Sequence, residues 1–220
     1  MARGLFVTGT DTNVGKTAVA AALMHRYRGR VPLRYWKPIQ TGIEVDNDTA
    51  TVVHLGRCRD GEVIDEGVRL AKPVSPHLAA SWSGVTIAID PLVAIRRAAP
   101  PGQAWIVEGA GGVLVPINDR ETIADVIAAL DLPALIAART ALGTINHTLL
   151  TIEALRRRGI PVAGIVLVGP PDADARRAII EHGQVAVVGD MPQFTPLTAD
   201  AVAAWAPSLD PAGHLLTWLE

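Results

Sequence analysis

The sequence predicts an α/β fold, one domain over residues 1–220, with a parallel β-sheet covered by helices on both faces. Three observations carry that prediction. Short apolar runs alternate with longer segments of helical period. The runs are almost continuously apolar, as in strands buried on both sides, rather than alternating apolar and polar. The 220 residues are 49% hydrophobic and 19% charged, a globular composition long enough to bury one substantial core.

Taken in order, "GLFVTG" (4–9) reads as a buried strand and residues 16–28 as a helix opening at Lys16. "LRYWKPI" (33–39) reads as a second strand, and residues 48–58 as a helix that Asn47 or Asp48 can cap. Ser75-Pro76 and Asp90-Pro91 each set a capping residue before a proline suited to a first helical turn. "AWIVEG" (104–109), "PALIAA" (133–138), "PVAGIVLV" (161–168) and "QVAVVG" (184–189) are further strands. Helices are expected over 121–130, 143–158, 172–182 and the C-terminal stretch, while 59–90 mixes loops with short elements.

Several function classes are disfavoured at once. A net charge of −2 and a pI near 6.3 leave no electrostatic footprint for nucleic acid or an anionic membrane. The lone Cys58 has no partner for an internal disulfide, so a reducing cytoplasm is the expected compartment. There is no basic-then-apolar leader and no apolar run of membrane-spanning length.

The first strand runs into "GTDTNVGKT" (9–17), a glycine-punctuated turn ending in Gly-Lys-Thr at the mouth of a helix. That is the context of a phosphate-binding loop, but five residues rather than four separate Gly9 from Gly15. Backbone N–H groups and the helix N-terminus would cradle phosphates, Lys16 would reach the β- and γ-phosphates, and the Thr17 hydroxyl would ligate Mg²⁺. The fold is therefore expected to be P-loop NTPase-like with a variant loop. No G-x-G-x-x-G is present, which argues against a dinucleotide site.

Three more segments fall where such sheets gather ligands, at the carboxyl ends of strands. "WKPIQTG" (36–42) places Lys37 at a strand exit, "VEGAGGVLVP" (107–116) ends a strand in Glu108 and supplies three glycines, and Asp48 opens a helix. Thr17, Asp48 and Glu108 form an oxygen-only set of the kind Mg²⁺ prefers.

Together these residues resemble the dethiobiotin synthetase family. "VTGTDTNVGKT" (7–17) looks like that family's loop, five-residue spacing included, and "KPIQTG" (37–42), "SPH" (75–77), "EGAGG" (108–112) and "LGTINHTLLTIEAL" (142–155) follow in the family's order. The resemblance covers residues 4–165 well and the remainder loosely. It implies ATP- and Mg²⁺-dependent ring closure of 7,8-diaminononanoate with CO₂ or bicarbonate, through a carbamate and a carbamic–phosphoric anhydride. Lys37 and Lys16 would be the catalytic pair, with Thr12, Thr41 and the Gly143, Thr144, Ile145, Asn146 segment on the substrate. The nucleotide would meet Asn13, Val14, Gly15, Lys16, Thr17, Ala18, Asp48, Glu108, Gly109, Ala110, Gly111, Val168, Gly169, Met191, Pro192 and Gln193. A homodimer is implied, because in the family the substrate's carboxylate end reaches the partner subunit.

Two departures stand out. Asn13 replaces an acidic residue common in the family's loop, and the family's adenine-reading Asn-Asp falls on about Val168-Gly169, which implies loose recognition of the base. Two rival readings are weaker. Partitioning-type ATPases use an extra lysine near the loop start, and Thr10 to Asn13 contains none. A cobyrinate-amidation ligase would need a glutaminase domain for which the chain has no room. His147 reads as a packing or capping residue, the Arg156-Arg157-Arg158 run as a basic last helical turn, and His77 carries no assigned role.

Overall fold

The computed structural model describes residues 3–220. Seven strands form one parallel sheet in the order β4-β2-β6-β1-β7-β8-β9. Here β1 is Gly4–Gly9, β2 Leu33–Trp36, β4 Val63–Ile64, β6 Ala104–Gly112, β7 Ala134–Arg139, β8 Val162–Val168 and β9 Val187–Met191. A second sheet pairs β3 (Ile39–Thr41) with β5 (Val68–Leu70), also in parallel.

Continuously apolar strands have two faces to bury, and successive side chains divide between them. Leu5 and Val7 enter one core and Phe6 the other; Tyr35 and Ile106 go with Leu5, Trp36 and Val107 with Phe6. The Leu5 face is covered by α1 (Lys16–Tyr27), α2 (Asp48–Leu55), α8 (Ala199–Trp205) and α9 (Leu216–Leu219). The Phe6 face is covered by α3 (Pro76–Trp82), α4 (Ile89–Ala98), α5 (Ile123–Ala129), α6 (Thr144–Arg156) and α7 (Ala173–Gly183). The expected doubly covered parallel sheet is thus the observed one. Beyond α8, Tyr27 donates its phenol to the fully buried Asp210 at 2.5 Å, and Asp210 accepts from the N–H groups of His214 and Leu215. That carboxylate pins the C-terminal segment to α1.

Several boundaries differ from the sequence expectation, each for a local reason. The expected strand 33–39 is two strands in two sheets, because Pro38 has no N–H for the ladder and the chain turns away to meet β5. Helix α2 stops at Leu55, where Gly56 caps it and Arg57 takes φ 47°. The last strand begins at Val187 rather than 184, since Gln184 closes α7 in the left-handed region at φ 49°. β6 runs on through the glycines to Gly112, pairing with Gly9 after a register shift. Asp90 is not a cap: α4 starts at Ile89 after Ala88, leaving Asp90 in its first turn. No helix of the described residues is long and apolar enough to cross a membrane.

Candidate active site

Strand β1 sits between β6 and β7, and the chain moves outward from it in opposite directions, so a crevice opens above its carboxyl end. The loop from Gly9 to Thr17 lines that crevice. Its length is accommodated by two left-handed residues, Asn13 at φ 57° and Gly15 at φ 94°. Asparagine tolerates that region better than most side chains. Gly15 is required on two counts, since an added Cβ would also come within 3.0 Å of Val168. Val14, buried in the core, anchors the loop between them.

Two connected hollows make up the cleft. One of about 620 Å³ is lined by Thr12, Lys16, Thr17, Lys37, Thr41, Asp48, Glu108, Ala110 and Gly111 among others. The other, about 420 Å³, is lined by Val14, Val168, Gly169, Met191, Pro192, Gln193 and neighbours. Asn13, Gly15, Ala18 and Leu197 belong to both walls.

In the larger hollow the charged groups are in direct contact. Thr17 Oγ1 lies 2.9 Å from Glu108 Oε1 and 3.1 Å from Asp48 Oδ1. Lys37 Nζ lies 2.6 Å from Asp48 Oδ2, 2.9 Å from Glu108 Oε1 and 3.3 Å from the Gly109 carbonyl. Lys16 Nζ donates to the Asp11 carbonyl at 3.1 Å. Asp48 is available because Asn47, not Asp48, caps α2, accepting from Ala50 N at 3.0 Å. Burial alone would lower the Lys37 pKa, but Glu108 and Asp48 outweigh it and the net shift is upward. The ammonium of Lys37 is thus paired with both carboxylates and placed to hold and stabilise negative charge in the cleft. For Lys16 burial prevails over the attraction of Glu108, and its pKa is lowered.

Among the described residues no group of three or more His, Cys, Asp or Glu side chains is placed to hold a metal. The converging donors here are two carboxylates and a hydroxyl, all hard oxygens. That set fits Mg²⁺, which fills its remaining positions with water and substrate phosphate rather than protein.

Gly143 to Asn146 stand apart from the lining of both hollows, at the start of α6, with Gly143 as its cap at φ 93°. Gly109 contributes through its carbonyl, which accepts from Lys37 Nζ, rather than by lining the cleft. His147 is exposed, against the expected packing or capping role; its carbonyl accepts from Thr151. His77 Nδ1 lies 3.1 Å from Ser75 Oγ, a local contact at the start of α3. Residues that the sequence reading missed include Phe194 and Leu197 beside the smaller hollow, Pro73 and Val74 on the larger, and Tyr35 beneath Glu108. Tyr35 carried a signal: it stands two residues before Lys37 in a strand, the spacing that puts side chains on one face.

An AAA domain family model matches residues 3–201. Among curated proteins, the ATP-dependent dethiobiotin synthetase BioD of Agrobacterium fabrum is 44% identical over 198 residues, 89% of each chain. That of Rhodopseudomonas palustris is 43% identical over 216 residues, 98% of each. The biotin biosynthesis bifunctional protein BioCD of Bordetella avium is 44% identical over 98% of this chain, which spans 45% of that longer protein. Among solved structures, a ParA family ATPase from Chlorobium tepidum superposes with TM-score 0.57 at 11% identity, covering 99% of this chain and 98% of its own. The MinC:MinD complex of Aquifex aeolicus gives 0.55 at 14%, covering 96% and 87%. At such identities the two structures speak for the fold alone. The likeness to the synthetases is of another order, extending through loop, sheet and cleft alike: the chain belongs to the dethiobiotin synthetase family.

Proposed function

We propose that this protein closes the ureido ring of dethiobiotin from 7,8-diaminononanoate, CO₂ or bicarbonate, and ATP. One observation carries the reading: Lys37, Lys16, Thr17, Asp48 and Glu108 converge in a cleft whose wall also offers Thr12 and Thr41. An amine of the substrate captures CO₂ as a carbamate and loses a proton. A carbamate oxygen attacks the γ-phosphorus, breaking its bond to ADP and giving a carbamic–phosphoric anhydride. The second amine attacks the carbonyl carbon, phosphate leaves, and the ring closes with loss of a proton.

The protein's part is to position groups and offset charge. Lys16 and the loop N–H groups bind the triphosphate. Lys37 holds the carbamate and stabilises charge growing on the transferring group. Thr12 and Thr41 orient the diamine by hydrogen bonding. Thr17, Asp48 and Glu108 would hold Mg²⁺, which when bound neutralises the β- and γ-phosphate oxygens. The family resemblance and the exposed Leu142 and Ile145 at the start of α6 support a homodimer in which Gly143 to Asn146 receive the substrate's carboxylate at the partner's cleft. With one Cys and, among the described residues, no apolar helix of spanning length, the setting we infer is cytoplasmic.

The test is turnover: purified protein with diamine, bicarbonate, Mg²⁺ and ATP should yield a cyclic urea by mass spectrometry, with ADP release dependent on the diamine. Folded protein that hydrolyses ATP regardless of the diamine, and makes no urea, would overturn the reading. Sedimentation of the same preparation addresses the shared site, since a monomer working at full rate would remove it.

A further inference from the structure

We infer that Tyr35 is a positioning residue that sets the plane of the Glu108 carboxylate, and with it the strength with which the cleft holds its divalent cation. The inference rests on the function proposed above. It starts from the sheet register. Tyr35 pairs with Ile106 on the neighbouring strand, and Glu108 lies two residues further along the same face. The pleat therefore aims both side chains at the α1 side, with the phenol directed along the strands toward the carboxylate.

The two oxygens of Glu108 have separate duties. Oε1 faces the cleft, 2.9 Å from both Thr17 Oγ1 and Lys37 Nζ. Oε2 accepts from the Tyr35 hydroxyl at 2.9 Å. Glu108 is fully buried, so no bulk water is at hand to satisfy Oε2 or to hold the group against rotation. Tyr35 is itself fully buried within the core formed with α1, which fixes the ring. β2 and the residue that follows it thereby deliver two groups to one carboxylate: Lys37 to the oxygen that faces the cleft, and Tyr35 to the one that faces the core.

Hydrogen-bond partners of metal-ligating carboxylates commonly govern affinity by about 10- to 100-fold. Tyr35→Phe retains the ring and removes only the donor. Mn²⁺ is titrated, by electron paramagnetic resonance, into protein saturated with a non-hydrolysable ATP analogue. The dissociation constant should rise about tenfold in Tyr35→Phe. Analogue affinity in EDTA should stay within about twofold, and kcat should largely recover at saturating Mg²⁺ while the half-saturating Mg²⁺ concentration rises. A residue that only packs the core would lower the melting temperature and leave Mn²⁺ affinity alone; that result overturns the inference. Wild-type protein that binds no Mn²⁺ overturns the metal reading and this inference with it. Wild-type binding with an unchanged variant removes Tyr35 alone. A second measurement needs no variant. The chain has two tyrosines, and Tyr27 is occupied with Asp210. In the ¹⁹F spectrum of 3-fluorotyrosine-labelled wild type, Mg²⁺ added with the analogue should move the Tyr35 line and leave the Tyr27 line in place. A stationary Tyr35 line overturns the proposal.

Discussion

The two hollows of the cleft differ in almost every physical respect. Around Lys37, each charged group has a partner within 3.3 Å, and Lys37 and Glu108 are nearly or wholly buried. Around Val168, the wall is mainly apolar, with Gly169, Pro170, Met191, Pro192, Phe194 and Leu197, and its polar members are Asn13, Arg139, Thr140 and Gln193. At low dielectric a buried network of charges has steep consequences when one member changes, whereas an apolar wall tolerates many occupants. For the function proposed above, the contrast leads us to expect selectivity for the triphosphate, the cation and the reacting carbamate, and little for the base.

The sharpest way to break the comparison is Lys37→Gln. Its ammonium offsets the carboxylates of Asp48 and Glu108 and, in the proposed reaction, the charge that grows on the transferring phosphoryl group. Losing a donor of that kind costs about 10²- to 10³-fold in kcat. Triphosphate affinity should change far less, because Lys16 and the loop remain. A wild-type rate in a folded variant would take Lys37 out of the chemistry. Asp48→Asn comes next. Asp48 is 28% exposed where Glu108 is fully buried, so it is the carboxylate that can be neutralised with the least disturbance to folding. The Mg²⁺ concentration for half-maximal turnover should rise by about tenfold or more. An unchanged Mg²⁺ dependence would mean that other groups hold the ion.

These two positions were legible in the sequence because chemistry was written into residue type and place. Lys16, Thr17, Lys37 and Asp48 each stand at a strand-to-turn or turn-to-helix boundary, and such boundaries meet at one edge of a parallel sheet; Glu108 lies inside β6, where the apolar run ends. The sheet was legible for a similar reason: continuous apolar runs between helices leave few other ways to cover two faces. What stayed hidden depended on register or on contacts distant in sequence. Nothing local tells that "LRYWKPI" divides between two sheets, since the partner that draws Ile39 away lies at Val68. The spacing of Tyr35 from Lys37 puts both on one face, but only the pairing with Ile106 places Tyr35 beneath Glu108. Phe194 and Leu197 sit in a segment after β9 with no motif of its own, and they reach the cleft only through the fold.

The smallest expected effect concerns the base, and it tests the other half of the comparison. Strong discrimination between bases needs buried donors and acceptors that match one edge and are left unpaired by another. Val168 and Gly169 offer no such side chain, and two of the nearby main-chain groups are committed elsewhere. Gly169 N–H donates to the Met191 carbonyl at 2.9 Å, and the Val168 carbonyl accepts from Thr140 N–H at 3.1 Å. Pro170 and Pro192 have no N–H at all. Asn13 and Gln193 are exposed, and Arg139 is held by Asp11 at 3.3 Å. A base in this hollow would be held chiefly by apolar contact with its faces, which purines and pyrimidines share. Gly15, Lys16, Thr17 and the cation act on the phosphates whatever base is attached. CTP and GTP should therefore support turnover within about tenfold of ATP, a gap near 1.4 kcal/mol. Comparing kcat/KM for the four nucleoside triphosphates measures it. A preference for ATP beyond a hundredfold would show that a group outside this wall reads the base, and that the two ends of the cleft are less different than their chemistry makes them.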